Sequence, residues 1–506
     1  MLELSGQPLT LAEIHSVAAG KVNATLAAIA IERMQESRAV VEDLLARREV
    51  VYGVNTGFGK LADVHVPPSQ IEALQTNLVR SHASGLGMPL SIPETRAMMV
   101  LRVNVFGLGH SGCRVELATT LLNMVERGVY PRIPEKGSVG ASGDLAPLAH
   151  LALTVIGEGE AWYDAAWREG GEALRLAGIA PMKLAAKEGL ALLNGTQAMC
   201  AVGALALYRA HRLVALADLA GAMTLEALRG TPVAFDERIQ RARPHPGQQA
   251  AAAHLRLLLH DSEIRRSHQK NDPRIQDAYS LRCMPQVHGA VRGVLDHVTS
   301  IVEIESGSAT DNPLIFTGSG EVLSGGNFHG APLALAFDYA GMALADLMSI
   351  TERRIDRLVN PDLNEGLPPF LSADPGTSSG FMLAQVCAAA LLNEARVMAH
   401  PASIDNVPTS GGKEDHVSMG MTSALKLRHI VDNAECVLAI ELILAAEGLD
   451  YRAPLRSSGP IQRARELVRA IVPRLTSDRP PAPDIECLVA AIRQGEFDEF
   501  VGGPAE

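Results

Sequence analysis

The sequence predicts a mainly α-helical protein organised around a bundle of long helices, and three observations lead there. Apolar residues recur at helical spacing over runs longer than a usual globular helix, at 195–228, 285–304, 331–358 and 418–447. These runs are rich in Ala and Leu, which suits close helix–helix packing, and aromatics make up only 4% of the chain. Strand signals are few and short, and no period of roughly 20–50 residues repeats.

Taken in order, Ser69-Gln-Ile-Glu72 and Ser91-Ile-Pro-Glu94 both match the capping box, in which Ser accepts from a backbone N–H and Glu reaches back. They predict helices over 70–84 and 93–106. Periodic runs add helices at 113–127, 144–156 and 380–398. The section 229–275 is broken by Gly230, Pro232, Pro244 and Pro246, and reads as a helix–loop excursion between bundle halves. A turn-rich stretch at 452–482 precedes a short C-terminal helix. The 1–506 chain thus divides into an N-terminal part (about 1–195), a central helical bundle (about 196–450) and a C-terminal helical segment (about 451–506).

Composition bounds the function. With 506 residues, 47% hydrophobic and 20% charged, the chain is of ordinary globular type and long enough for a large core. Net charge is −12, and the longest basic cluster is Arg265-Arg266 near Lys270, which argues against nucleic-acid binding. The six cysteines, Cys113, Cys200, Cys283, Cys387, Cys436 and Cys487, sit far apart, mostly in apolar runs, and predict reduced thiols in a core. The start Met1-Leu-Glu-Leu-Ser-Gly has neither the basic nor the apolar region of a signal peptide. Arg209, His211, Arg212 and Asp218 interrupt the apolar segment 198–227, and Asp338 and Asp346 interrupt 331–351. The expectation is therefore no membrane helix and a cytoplasmic location.

Polar loops rich in Gly and Asn punctuate the helices and are the places to look for chemistry. Two familiar patterns fail on context. Gly107-Leu-Gly-His-Ser-Gly112 fits a dinucleotide fingerprint, but the helix signal before it leaves no βαβ frame. Gly376-Thr-Ser-Ser-Gly380 fits a hydrolase elbow, but the Pro-rich stretch before it is no strand. The stretch Gly137-Ser-Val-Gly-Ala-Ser-Gly-Asp144 allows two readings. One is a glycine turn with Asp144 near a helix N-terminus, where a carboxylate suits the dipole. The other is chemical. Gly143 leaves its amide nitrogen unhindered and its backbone free to take strained angles. That nitrogen can close a five-membered ring on the Ala141 carbonyl. Loss of water from the ring and of water from Ser142 then leaves a methylidene, a strong electrophile.

This stretch resembles the signature of the aromatic amino acid ammonia-lyases, whose Ala-Ser-Gly forms the 5-methylidene-imidazol-4-one (MIO) prosthetic group. Further matches follow in order: Tyr52 to Gly59, Asn194-Gly-Thr-Gln197, Tyr279-Ser-Leu-Arg282, Asn312-Pro313, Asn327-Phe328 and Glu414-Asp-His-Val-Ser418. They span nearly the whole chain. The resemblance implies the long helical bundle of the fumarase/aspartase-like superfamily with catalytic loops at helix ends. It also implies a homotetramer of D2 symmetry with active sites shared among three subunits. It implies MIO formed from Ala141, Ser142 and Gly143, with no external cofactor and no metal.

Within the family, Ser81-His82 resembles the histidine-type selectivity pair, where tyrosine-preferring members carry His-Leu and phenylalanine-preferring ones Phe-Leu. Glu414 stands where aryl-specific members usually carry Gln, and a carboxylate can accept an imidazole N–H. The implied reaction is deamination of L-histidine to trans-urocanate and ammonia, the first step of histidine degradation. By resemblance Tyr52 takes the β-proton, so the site must stabilise a phenolate whose ordinary pKa is about 10. Tyr279 is the second essential tyrosine, Asn194 bonds the MIO carbonyl, and Arg282 holds the substrate carboxylate through a fork. Asn312 is expected near that carboxylate, Phe328 against the MIO and substrate, and His82 and Glu414 at the imidazole. Gln276, Tyr279 and Arg282, three apart, would share one side of a helical turn. Either the substrate amine or the imidazole can add to the methylidene carbon. Lys413 beside Glu414 and the pair Gly411-Gly412 depart from the family pattern, with Lys413 expected to point to solvent. The other readings are a tyrosine or phenylalanine ammonia-lyase, an MIO-dependent aminomutase, and a non-catalytic helical scaffold that never forms MIO.

Overall fold

The structure is a computed structural model that describes residues 1–57, 64–270 and 272–501. Phe58 and Gly59, the end of the Tyr52 stretch, lie outside the described residues. Helices come in this order: α1 (Leu11–Ala18), α2 (Ala28–Ala46), α3 (Ile71–His82), α4 (Ile92–Phe106), α5 (Val115–Glu126), α6 (Ala146–Val155), α7 (Gly170–Leu176) and α8 (Glu188–Leu193). Next are α9 (Gln197–Ala227), α10 (Glu237–Ala242), α11 (Pro246–Leu258), α12 (Glu263–Ser267), α13 (Tyr279–Arg282) and α14 (Met284–Ser306). The chain ends with α15 (Ala331–Val359), α16 (Met382–Met398), α17 (Gly420–Asp450), α18 (Gly459–Ile471), α19 (Ala482–Gln494) and α20 (Asp498–Val501). The mainly α class and the four long helices agree with the sequence. The described strands are short, the longest being four residues, and pair into small ladders such as Leu2–Leu4 with Ala24–Leu26.

Local signals explain most boundaries. Ser91 accepts from the Glu94 amide while the Glu94 carboxylate accepts from the Ser91 amide at 2.8 Å, so this capping box forms. The box at Ser69 does not: Pro68–Gln70 is a 3-10 turn, and α3 starts after Gln70 without a side-chain cap. Pro67-Pro68 fixes the preceding backbone and holds Ser69 inside that turn. Helices α1 and α2 lie in a region from which no helix was expected. Thr10 and Glu13 form a full capping box at α1, a signal present in the sequence. The stretch 452–482, read as turns, contains α18, opened by a Ser458 cap.

The chain divides into two compact units interleaved along the sequence. The first comprises Met1–Tyr208, Val298–Asp338 and Pro401–Lys426. Within it α4 is buried around its whole circumference from Ala97 to Phe106, as suits a central helix. Among its polar members, Asn104 accepts from the Gly6 amide at 3.0 Å and donates to the Gln7 and Ser306 carbonyls. Arg102, fully buried, donates to Gln197 Oε1 at 2.5 Å and to the Ala191 carbonyl.

The second unit comprises Arg209–His297, Tyr339–His400 and Leu427–Glu506. Buried charge ties its helices together. Asp218 on α9 accepts from His254 of α11 at 2.8 Å, and from His288 and Arg292 of α14 at 2.7 and 2.6 Å. Burial pushes its carboxyl up, but Arg292 and the two histidines outweigh this and hold it well below the usual carboxylate range. Arg354 of α15 forks onto Glu441 of α17 at 2.6 and 2.9 Å, both side chains fully buried, and Thr224 of α9 completes the carboxylate at 2.8 Å.

By length and composition alone α9 and α15 are long and apolar enough to cross a bilayer, as the core helices of a packed protein also are. Inside the protein 67% and 61% of their apolar 18-residue windows are buried. All six cysteines are free; Cys113 and Cys200 are buried, and burial pushes the Cys113 thiol up to about 12. Cys387 and Cys487 are exposed, a departure from the core reading, because they occupy outward positions of amphipathic helices. Replacing Arg354 by Met leaves Glu441 buried without its ion-pair partner. The expected loss is about 3–5 kcal/mol, measurable as a lower urea midpoint at unchanged slope.

Candidate active site

The site grows from the loop between the strand Pro134–Lys136 and α6. Gly143 takes φ +75°, and a Cβ there would stand 2.2 Å from the Gly195 carbonyl oxygen. The approach is locked by the Asp144 amide, which donates to that same oxygen at 2.7 Å. Gly140 takes φ +69°, and a Cβ there would stand 2.1 Å from Ser418 Oγ. Only glycine fits at either position. Two distant segments close on the loop. Ser418 Oγ donates to the Gly140 carbonyl at 3.0 Å, the Met419 amide to Val139 at 2.8 Å, and the Gly330 amide to Gly140 at 3.2 Å. Ala141 and Gly143 are buried while Ser142 is half-buried between them.

Asp144 anchors the loop from below. Its carboxylate accepts from the amides of Ala198 at 2.6 Å and Met199 at 3.2 Å, so it caps α9, not the adjoining α6 as chain proximity suggested. Burial pushes this carboxyl up to about 7, against the pull of the two amides and of Arg102. Asn194 ends α8 one residue before Gly195; it is buried, and its Oδ1 has no hydrogen-bond partner among the described residues. Buried Asn194 next to Gly195, which packs on Gly143 at φ +75°, fits an Ala-Ser-Gly cyclisation whose carbonyl would accept from Asn194 Nδ2.

Ser142 Oγ donates to Glu414 Oε1 at 2.7 Å. The other oxygen of Glu414 accepts from Thr409 Oγ1 at 2.7 Å, and the Thr409 amide donates to the Glu414 carbonyl at 2.7 Å. Three successive residues at positive φ, Ser410, Gly411 and Gly412, turn the chain tightly enough for this. Lys413 is exposed and forms no ion pair with Glu414 among the described residues, as expected. Thr409 drew no notice in the sequence, where nothing local marks it.

Gly53 presses the Tyr52 segment onto α8 and Pro313: a Cβ there would stand 2.6 Å from Leu190 and 3.0 Å from Pro313. The Asn312–Pro313 peptide is cis. Asn312 Oδ1 accepts from the Gly325 amide at 2.8 Å, so it holds the loop that leads to Phe328, which is half-buried. Ser81 and His82 end α3. His82 Nδ1 donates to the Leu78 carbonyl at 2.9 Å, and Ser81 Oγ donates to the same oxygen at 3.1 Å, which leaves His82 Nε2 as the ring's other polar atom. A Cβ on Gly137 would lie 3.1 Å from the Gly85 Cα, so the chain just after His82 runs beside the glycine loop. His150 accepts from the Gly85 amide at 3.0 Å. His329 and His416 stack at 5.7 Å.

All of these residues belong to the first unit, whereas Gln276, Tyr279 and Arg282 are carried by the second. There the Arg282 guanidinium lies 4.5 Å from the Tyr279 ring centroid, Tyr279 is 70% exposed, and Arg282 Nε is buried without a partner among the described residues. Gln276 precedes α13 and is exposed, so the single helical turn unites only Tyr279 and Arg282; Pro273 and the loop after it keep the helix from starting earlier.

The sequence matches the aromatic amino acid lyase family over residues 9–470. It is 55% identical to a histidine ammonia-lyase of Anaeromyxobacter sp. (strain K), covering 98% of this chain and 99% of that protein. Among solved structures, the histidine ammonia-lyase from Trypanosoma cruzi is 44% identical with a TM-score of 0.92, covering 99% of this chain and 94% of that one. A tyrosine aminomutase from Streptomyces globisporus is 39% identical with a TM-score of 0.94, covering 99% and 98%.

Gly143→Ala must adopt a strained φ and push Gly195 away, with an expected cost of about 1–3 kcal/mol, read by thermal unfolding. Asp144 predicts a pH effect. Its folded carboxyl titrates at about 7 and its unfolded one at about 4, so its contribution to stability is complete below pH 4 and lost as pH rises through 7. Asp144→Asn is expected to remove that decline, seen by comparing urea midpoints of the two proteins across this window.

Proposed function

The chain belongs to the aromatic amino acid lyase family, and from that premise we propose that it is a carbon–nitrogen lyase that converts L-histidine to trans-urocanate and ammonia. The observation that carries the substrate is the carboxylate of Glu414, held by Thr409 and bonded to Ser142. An imidazole N–H can donate to a carboxylate placed there, and His82 Nε2 offers a second polar contact. The MIO formed from Ala141, Ser142 and Gly143 supplies the electrophile that a poor leaving group such as an amine requires. Asn194 binds its carbonyl oxygen. Arg282 holds the substrate carboxylate, Tyr52 takes the β-proton, and Tyr279 stands near the amine. Phe328 packs against the ring, while Gln276, Asn312 and Ser81 shape the surroundings.

The active enzyme is proposed to be a cytoplasmic homotetramer with shared sites. The exposed Tyr279, stacked on an Arg282 whose Nε is buried without a partner among the described residues, supports contributions from more than one copy. Free cysteines throughout support a reducing compartment.

Purified protein given L-histidine, L-tyrosine and L-phenylalanine in parallel is expected to release ammonia and a conjugated product from L-histidine alone. Turnover of an aryl substrate, or a β-amino acid product, would overturn the substrate assignment. Intact mass is expected to fall short of the encoded chain by two waters, and Ser142→Ala to restore the full mass. Glu414→Gln is expected to lower kcat/KM for L-histidine roughly 100-fold. Thr409→Val, which only frees the carboxylate, is expected to lower it roughly tenfold, with Thr409→Ser restoring most of it.

A further inference from the structure

A cavity of about 870 Å³ opens in the first unit beside the segment that carries Tyr52, and none of the residues assigned above to the reaction lines it. Two guanidinium groups in its wall are fixed in place by other bonds. Arg38 donates through Nε to Glu42 at 3.0 Å and through Nη1 to the carbonyls of Gly112 and Ala186 at 3.2 and 3.0 Å. Arg114 donates through Nε and Nη2 to Glu188 at 2.8 and 2.6 Å, and through Nη2 to the Lys183 carbonyl at 2.8 Å. Glu188 is fully buried and also accepts from the amides of Arg114 and Ala185, so this pair is rigid. Arg38 Nη2 and Arg114 Nη1 carry no hydrogen bond among the described residues. Each guanidinium therefore keeps one NH2 group available, with the side chains only 12% and 34% exposed.

Arg48 and Lys183 add two exposed cations to the lining, against a single acid, Glu72, among the described residues. Part of the lining is apolar: Ile71 and Ala186 belong to a small buried cluster with Val54, and partly buried Leu45 and Val51 pack against that cluster, so it borders the chain on either side of Tyr52. Asn55, which binds the Val51 amide at 2.9 Å and the Glu49 carbonyl at 2.7 Å, lines the cavity as well. Preset guanidinium groups with free N–H pairs are suited to phosphoryl oxygens, and the volume exceeds what an inorganic ion needs.

We propose that this cavity is a binding site for a phosphorylated small molecule of about nucleotide size, and that its occupancy steadies the segment bearing Tyr52. Steadying this segment matters for catalysis only if Tyr52 has the role proposed above; the binding does not depend on it.

The test is calorimetric titration of the full-length protein at low salt with ATP, with pyrophosphate and with adenosine, repeated on the double variant Arg48→Ala/Lys183→Ala. Both substitutions are at exposed positions, and deamination without added phosphate is expected to be unchanged. Expected is binding of ATP that weakens about tenfold in the variant and falls with added salt. Binding of pyrophosphate as well assigns the contacts to the phosphates, and inert pyrophosphate assigns the ligand to the nucleotide class. No binding of either at millimolar concentration, equal affinity in the variant, or equal binding of adenosine overturns the site. Slower amide hydrogen exchange at 51–57 with ATP present is the expected sign of the steadied segment, and unchanged exchange overturns that coupling.

Discussion

Gly143 and Gly195 approach so closely that neither position has room for a Cβ: one at 143 would strike the Gly195 carbonyl, and one at 195 would stand 2.2 Å from Arg102. The contact joins the two glycine-containing loops that precede α6 and α9. Once it is made, the Asp144 amide and carboxylate serve different segments, the first bonding Gly195 and the second the opening amides of α9. A long helix with an orphaned N-terminus is thereby satisfied, and the Ala-Ser-Gly tripeptide is held in a tight turn. Arg102, buried in α4, reaches Gln197 and the end of α8 from behind. The reactive loop is thus built into the core, where strain is held by the packing around it.

Rigidity in the second unit has a different origin. Its long helices are largely apolar and could slide along one another, but buried ions set their register. Asp218 can meet His254, His288 and Arg292 together in only one alignment of α9, α11 and α14. The Arg354–Glu441 fork does the same for α15 and α17. Buried pairs of this kind contribute less to stability than to the choice of one packing, because each charge gives up its hydration to be there.

In the first unit the groups proposed for the reaction are held by their neighbours. Glu414 is oriented by Thr409, His82 by the last turn of α3, and Tyr52 by the contact of Gly53 with α8 and Pro313. Each carries its chemistry on a side chain whose backbone is fixed by something else, which is how a site keeps its geometry through a reaction. The same arrangement places the cavity beside the Tyr52 segment: the apolar cluster that this segment packs against also contributes Ile71 and Ala186 to the cavity lining.

The helical class, the long bundle helices and the glycine turn around Ala141–Gly143 were legible in the sequence, because each rests on residues within a few positions of one another. Apolar spacing decides a helix locally, and a glycine after serine frees its own nitrogen. Even local signals were overruled where neighbours competed: Pro67-Pro68 displaced the Ser69 cap, and Gln276 fell outside α13. What the tertiary structure alone decided is who meets whom across the chain. Asp144 serves α9 instead of the helix that follows it, and Ser142 finds Glu414 from 272 positions away, with Thr409 behind it. No periodicity encodes such contacts, because they depend on how the packed helices return distant loops to one place.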